Sequence, residues 1–416
     1  MKKLFALLVA FLALSYAPVE AAQKPIFAVV LTRHGVRSPT KTPAGSYNWP
    51  SWQPVADGYL TKHGYALMTF AGQYYRKSFH DAGLPLQCSP ANVFMYADLD
   101  QRTLATGRAL IEGICGNPSA LPLNHDATIA VGTKDTLFDN RPGTKETTSA
   151  SGRDASAVDA PDFTGLQQIL NGRCNGGNCG AITNDPQPLA AGASFAENLF
   201  LEYAQCRPID EMDPGQNFQF VQQLQSAMQL HVKLSNIERY SEPIAQQRGG
   251  NLFAHIAELL EAKAGVAHPG VNGPDVSNAG IAFVVGHDTN IANIAGILGA
   301  HWSLGDGYVA NDTPPGGALV FELFREEDNT LRVGIRFVHQ TLAQLRSSRA
   351  VPNGTVSSPV FFDGCGGVEC SMPLSDFAAI ANRLNSGGFV RPDWTQSSSD
   401  PVNLGPLYDP EWTRCD

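Results

Sequence analysis

The sequence predicts an α/β protein: a mostly parallel sheet flanked by helices, with a smaller all-α domain inserted into it. Three observations carry that expectation. The apolar runs Ile26–Leu31, Val93–Ala97 and Ile281–Val285 are short, largely β-branched or aromatic, and continuous rather than alternating. Strands covered on both faces by helices look like this. Each run stops abruptly in polar and charged residues, and helical spacing follows the second and third. Between those two, residues 163–263 carry helical periodicity and no strand signal.

In chain order, Met1-Lys2-Lys3, the apolar stretch Leu4–Leu14 and the small residues Ala21-Ala22 read as a secretory signal peptide, residues 1–22. The apolar stretch is shorter than the roughly 20 residues of a membrane span. No later stretch is long and uncharged enough to cross a bilayer, so a periplasmic or secreted protein is expected, away from the membrane once the signal is cleaved. Thr61 caps a helix to about Phe79, with Leu67, Met68, Ala71, Tyr74, Tyr75 and Phe79 on its apolar stripe. Asp100 and Thr103 open a second helix, to about Gly113. Residues 116–160 are rich in turn formers and read as loop. Helices follow at Phe195–Ala204, Phe218 to about Arg239, and Leu252–Ala262. Strands Ala318–Phe324 and Leu331–Val338 and a helix from Phe377 to Leu384 close the chain. The organisation expected is a catalytic core of residues 23–140 and 275–416 around a helical insertion, 141–274, acting as a lid. Lys233, Arg239 and Arg248 on that insertion either face the site or lie on solvated helix faces.

The formal charge is −10 over the whole chain, and losing Lys2, Lys3 and Glu20 takes it to −11. An acidic protein without a basic run is a poor partner for nucleic acid. Arginines at a strand end are therefore a local feature. The even count of eight cysteines in an exported chain argues for disulfides. Cys174/Cys179 and Cys365/Cys370 each bracket a glycine-containing turn, and Cys88/Cys115 bracket a strand and a helix. Cys206 and Cys415 pair by elimination. Zinc is the rival for the two short spacings, but those pairs lie far apart in the chain.

The first strand ends in Arg33-His34-Gly35-Val36-Arg37-Ser38-Pro39-Thr40. Ligands of open α/β sheets sit beyond the carboxyl ends of the strands. Guanidinium groups there suit a phosphate, since they are always charged and can pair two oxygens at once. A histidine between them is disfavoured as imidazolium and persists as the neutral nucleophile. Arg102, past the second strand, is a further phosphate ligand in this scheme. His287-Asp288 past the third stands at a helix N-terminus, where the dipole favours anions. His125-Asp126 repeats the dipeptide but follows no strand. No cofactor or metal is required.

These motifs resemble the histidine acid phosphatases, and within them the bacterial periplasmic branch of phytases and glucose-1-phosphatases. The resemblance rests on Arg33–Thr40, on Asp98-x-Asp100-x-Arg102-Thr103, on Gly286-His287-Asp288-Thr289-Asn290, and on Asn311-Asp312-Thr313-Pro314-Pro315-Gly316-Gly317. It implies that His34 attacks phosphorus and carries a phosphohistidine. It further implies that Arg33, Arg37, Arg102 and His287 hold the phosphoryl oxygens and that Asp288 protonates the leaving oxygen. Thr289 and Lys41 are similar to the phytases, with Thr40 and Lys41 as possible further substrate contacts. A monomer acting on a small phosphomonoester is the expected form. Cys206 departs from the pattern, standing where a helix-end glycine is expected, so the Cys206–Cys415 link alters the lid. Because an aspartate ordinarily ionises near 4, Asp288 as the acid implies an acidic optimum. A phosphoglycerate-mutase-like enzyme or a non-catalytic phosphoester binder would share parts of this pattern. The discriminating outcome expected is turnover of a chromogenic aryl phosphate at low pH that chelator leaves undiminished. A binder would give none, and a metallophosphatase would lose it.

Overall fold

The computed structural model describes residues 24–416 apart from 42–46, 85, 141–159, 175–178, 215–218, 267–272, 366–369, 389–396 and 400. The expected signal peptide and the loop opening the expected insertion lie outside the described residues. No described helix is long and apolar enough to cross a membrane.

Strand β1 (Pro25–Arg33) is followed by α1 (Lys62–Asp81), β2 (Val93–Ala97), α2 (Gln101–Cys115) and the short β3 (His125–Asp126). Thr61 caps α1 by accepting from the Gly64 N–H. The apolar continuity of β1 has a direct cause, because successive side chains enter different cores. Phe27, Val29 and Leu31 lie in one, and Ala28 and Val30 in the other, with α1 and α2 covering the second.

Helices α3 (Thr164–Gly172), α4 (Pro188–Ala204), α5 (Ile209–Met212), α6 (Phe220–Ser235) and α7 (Glu242–Lys263) come next. A π-helical turn at Asn236–Tyr240 joins α6 to α7. Helices α3, α4 and α6 share a third apolar core, which also takes in Val36 and Leu67. Helix α7 differs. Leu252, Phe253, Ile256 and Leu260 belong to the first core, on the sheet, and Phe253 stacks on Phe377.

The chain then forms β4 (Ile281–Gly286), α8 (Asp288–Leu298), β5 (His301–Trp302), β6 (Ala318–Arg325), β7 (Leu331–Gln340), α9 (Leu342–Leu345), β8 (Thr355–Phe361), β9 (Ser371–Pro373) and α10 (Leu374–Ser386). The sheet order is β2-β4-β1-β6-β7-β8-β5, with β9 beside β7. Pairs β1/β4 and β2/β4 are parallel, while β1/β6, β6/β7 and β7/β8 are antiparallel. The α/β class holds, but the expectation of a mostly parallel sheet applies only to the three motif-bearing strands. The reason is loop length. A tight turn at Glu326–Thr330 joins β6 to β7, and so short a link can only join antiparallel neighbours.

Four disulfides join Cys88–Cys115, Cys174–Cys179, Cys206–Cys415 and Cys365–Cys370, which leaves no thiol for zinc. Cys206 takes the left-handed backbone (φ 63°) beyond the end of α4, the conformation that glycine ordinarily fills. Its sulfur ties the helical layer to the C-terminal tail.

Helices α1 and α2 touch backbone to backbone. A Cβ at Gly113 would stand 2.1 Å from the Thr69 carbonyl oxygen and 2.8 Å from the Gly72 Cα. Gly113→Ala should therefore force the helices apart and destabilise the fold by about 1–3 kcal/mol. The check is the shift of the midpoint in denaturant unfolding.

Candidate active site

Strand β1 delivers Arg33 and His34 to the sheet's carboxyl edge. The backbone there is held from both sides. Arg33 N–H donates to Gly317 O at 2.8 Å, His34 N–H to Gly286 O at 3.0 Å, and Gly316 N–H to His34 O at 3.0 Å. At Gly35 a Cβ would lie 2.7 Å from Met68 Cγ and 3.0 Å from Gly64 O, so only glycine allows this turn against α1. His34 Nδ1 is 2.9 Å from the Gly35 carbonyl oxygen. That oxygen can only accept, so Nδ1 carries the hydrogen and Nε2 keeps its lone pair. Burial lowers the His34 pKa well below the ordinary value, and the charges of Arg102, Arg37 and Arg33 lower it further. The ring is a neutral nucleophile even in acid.

The cations converge around it. Arg33 Nη2 and Arg37 Nη2 donate to the same Oε1 of Glu197, at 2.9 and 3.1 Å, and Arg33 Nη1 reaches Thr313 O at 2.5 Å. Arg102 Nη2 donates to Asp100 at 2.6 Å and lies 3.4 Å from His287 Nδ1. The Nε–H groups of Arg33, Arg37 and Arg102 are buried, with no acceptor among the described residues. Unmet donors beside a neutral imidazole form a receptor for an anion.

His287 opens α8, its N–H donating to Asn290 Oδ1 at 2.8 Å. Its ring lies 5.5 Å from that of His34, nearly perpendicular. His287 Nε2 is 2.6 Å from Oδ2 of Asp98, a fully buried carboxylate. Burial pushes Asp98 up, but His287 and Lys134 outweigh it and hold Asp98 below its ordinary value. The His287 pKa is lowered, chiefly by burial, against the pull of Asp98. The neutral ring thus donates through Nε2 to Asp98. It can give a hydrogen bond to an anion only from Nδ1, after a second proton arrives.

Asp288 is ion-paired to Arg239 and lies 3.8 Å from His231 Nε2. Burial favours its neutral form, but Arg239 first, then Arg33, His231 and His34, hold the carboxyl well below its ordinary value. The depression that neighbouring arginines are expected to exert on Asp288 is thus present, with Arg239 as the main partner.

The structure therefore brings together Arg33, His34, Arg37, Arg102, His287 and Asp288. Thr40 and Lys41 are exposed. Thr40 packs beside Gly58, whose carbonyl is 3.5 Å from Arg102 Nη1, while Lys41 adjoins residues outside the description. Arg248 pairs with Asp139 at 3.2 Å. Sequence reading left Asp98, Lys134, Glu197 and His231 without a role, and left that of Arg239 open. Asp98–Asp100–His287 and Glu197–His231–Asp288 each gather ligand atoms within 4.8 Å, as a metal site could. Guanidinium or ammonium groups sit on the same carboxylates, however, and that donor set favours an anion. Arg239→Gln should move the Asp288 carboxyl pKa up toward the ordinary value, followed by NMR titration of the side-chain carboxyl carbon.

Comparison with known proteins adds the relatives of this arrangement. A family model, Histidine phosphatase superfamily (branch 2), matches residues 26–172 and 188–341. The phytase AppA of Escherichia coli is 29% identical over 88% of this chain and 94% of its own length. A glucose-1-phosphatase of Salmonella typhimurium is 26% identical over 80% of this chain and 84% of its own. The apo form of Hafnia alvei phytase superimposes with a TM-score of 0.71 at 30% identity, covering 88% of this chain and 98% of that one. The same phytase in complex with myo-inositol hexakis sulphate gives 0.68 at 28% identity, covering 90% and 99%.

Proposed function

This chain belongs to the histidine phosphatase superfamily, branch 2, and from that premise we propose an exported, monomeric acid phosphatase that hydrolyses phosphomonoesters, phytate among them, through a phosphohistidine. The observation that carries the reading is a neutral His34, its Nδ1–H taken by the Gly35 carbonyl, among arginines whose Nε–H groups have no acceptor among the described residues. Export is supported by the Met1–Ala22 leader pattern and by the pairing of all eight cysteines. Residues 23–140 and 275–416, with α7 packed on the same sheet core, form the catalytic part, and α3, α4 and α6 carry the covering layer.

In this mechanism the transferred phosphoryl group binds among Arg33, Arg37, Arg102 and His287, and competes with Glu197 for the guanidinium donors. His34 Nε2 attacks phosphorus in line, the ester P–O bond breaks, and Asp288 protonates the departing oxygen. Asp288 then takes a proton from water as that water attacks the phosphohistidine, which returns His34 to the neutral state. Because Asp288 is ionised in the unliganded site, the proton must arrive with the substrate. A phosphate monoester loses its second proton near 6, so below that pH it enters as a monoanion that still carries one. Its negative charge also raises the Asp288 pKa by like-charge repulsion. Activity should accordingly fall as the pH rises through about 6, while the depressed pKa of His34 keeps the nucleophile free on the acid side.

Phytate is preferred over glucose 1-phosphate because the phytase relative aligns over more of both chains than the glucose-1-phosphatase does. The Hafnia alvei phytase complex with an inositol hexasulphate supports the same choice. Three measurements test the proposal. His34→Ala should abolish both turnover and trapping of a phosphoenzyme. Asp288→Asn should slow alkyl phosphates on the order of 10²-fold or more, and an activated aryl phosphate much less; equal slowing would remove Asp288 as the proton donor. A pH–rate profile with its maximum above neutrality would overturn the proton inventory.

A further inference from the structure

One cation at this site remains without a task. Lys134 lies in the loop after β3, and that loop is built rather than loose. Gly132 N–H donates to Leu99 O at 2.8 Å, and Asp135 N–H to Asp98 Oδ1 at 3.2 Å. The Asp135 carboxyl in turn accepts from the Tyr96 hydroxyl at 2.8 Å. The loop is thus pinned on either side of Lys134, at Gly132 and at Asp135, to the residues just beyond β2. Its Nζ stands 3.1 Å from Asp100 Oδ2 and 3.3 Å from His287 Nε2.

The groups around it already have partners. Arg33 and Arg37 share Glu197, Arg102 has Asp100, Arg239 has Asp288, and His287 has Asp98. Lys134 itself lies 3.8 Å from Asp98 Oδ2 and 3.1 Å from Asp100 Oδ2, an oxygen that Arg102 already holds. It is also the most open of them. Its side chain is 43% exposed, against 2%, 8% and 14% for Arg33, Arg37 and Arg102. Lys134 and Arg102 meet on the same Asp100 oxygen, and Arg102 also reaches toward His287 Nδ1. The cations therefore grade from buried guanidinium groups to a half-exposed ammonium group.

We propose that Lys134 is a specificity-determining substrate contact, whose ammonium receives a phosphate of a multiply phosphorylated ester other than the phosphate being transferred. This rests on the phosphomonoesterase reading above. An ammonium suits that task because it is a point charge on a flexible stem and can follow an anion that does not sit in one fixed orientation. A singly phosphorylated ester fills the buried arginines and offers nothing to the ammonium. The alternative is that Lys134 only neutralises Asp98 and Asp100, in which case its loss would disturb His287 and affect every substrate alike.

The experiment compares wild type, Lys134→Gln and Lys134→Arg on inositol hexakisphosphate and on an aryl phosphate at low ionic strength. With Lys134→Gln, the ratio of kcat/KM for the hexakisphosphate to that for the aryl ester should drop about tenfold, mostly through KM, and Lys134→Arg should restore most of it. In parallel, the inhibition constant of inositol hexasulphate should rise several-fold while that of inorganic phosphate rises much less. Added salt should erase the difference between wild type and Lys134→Gln. Equal losses on both esters, an unchanged ratio, or failure of wild type to turn over the hexakisphosphate while it cleaves the aryl ester would each overturn the proposal. Failure of wild type on both esters would instead overturn the phosphatase reading, and this inference with it.

Discussion

Everything at the strand ends depends on holding like charges together. Arg33, Arg37 and Arg102 crowd one neutral imidazole, and Arg239 stands on the nearby Asp288. Two unit charges 4 Å apart repel by about 4 kcal/mol at an effective dielectric of 20. The protein offsets that repulsion with carboxylates rather than with distance. Glu197 accepts from two guanidinium groups at once, Asp100 from a third, and Asp288 from a fourth. The compensation is incomplete by design of the hydrogen bonds, because several Nε–H groups keep no acceptor among the described residues. An entering phosphate completes the set.

Those carboxylates come from different layers, which ties the fold to the site. Asp98 and Asp100 stand at the end of β2, on the sheet itself. Glu197 comes from α4, and His231 and Arg239 from α6 and the π-turn after it. The helical layer is thus a working wall of the site, packed through Val36 and Leu67 onto the loop and helix that carry the nucleophile. The Cys206–Cys415 bond anchors the same layer at the end of α4, close to the turn that releases the chain toward α5. Its left-handed backbone shows how a cysteine could take a place suited to glycine, since the covalent link offsets the strain of that conformation.

Protonation follows from the same geometry. The Gly35 carbonyl selects the His34 tautomer, Asp98 selects that of His287, and the cations keep Asp288 ionised until an anion enters. Each titratable group is set by a neighbour remote in sequence, apart from the local Gly35 contact. The pH dependence is therefore a property of the assembled cluster and of the substrate's own proton.

The amino-acid sequence determined a good deal alone. Continuous apolar runs marked β1, β2 and β4, because a strand covered on both faces needs no polar side. Residues directly beyond those runs had to share one edge of the sheet, so Arg33, His34, Arg37, Arg102, His287 and Asp288 were legible as a group. The cysteine spacing was legible for a similar reason, since short loops limit which sulfurs can meet. Only tertiary structure decided the rest. A periodic pattern shows which helix face is buried but not what it is buried against, so Glu197 and His231 looked like ordinary helix residues and α7 like part of the insertion. The charge state of Asp288 was legible only as a pull from nearby arginines, without its main partner Arg239. It depends on Coulomb interactions that fall off over a few ångströms, and the groups within that reach, Arg33, His231 and Arg239, are brought to it by folding alone.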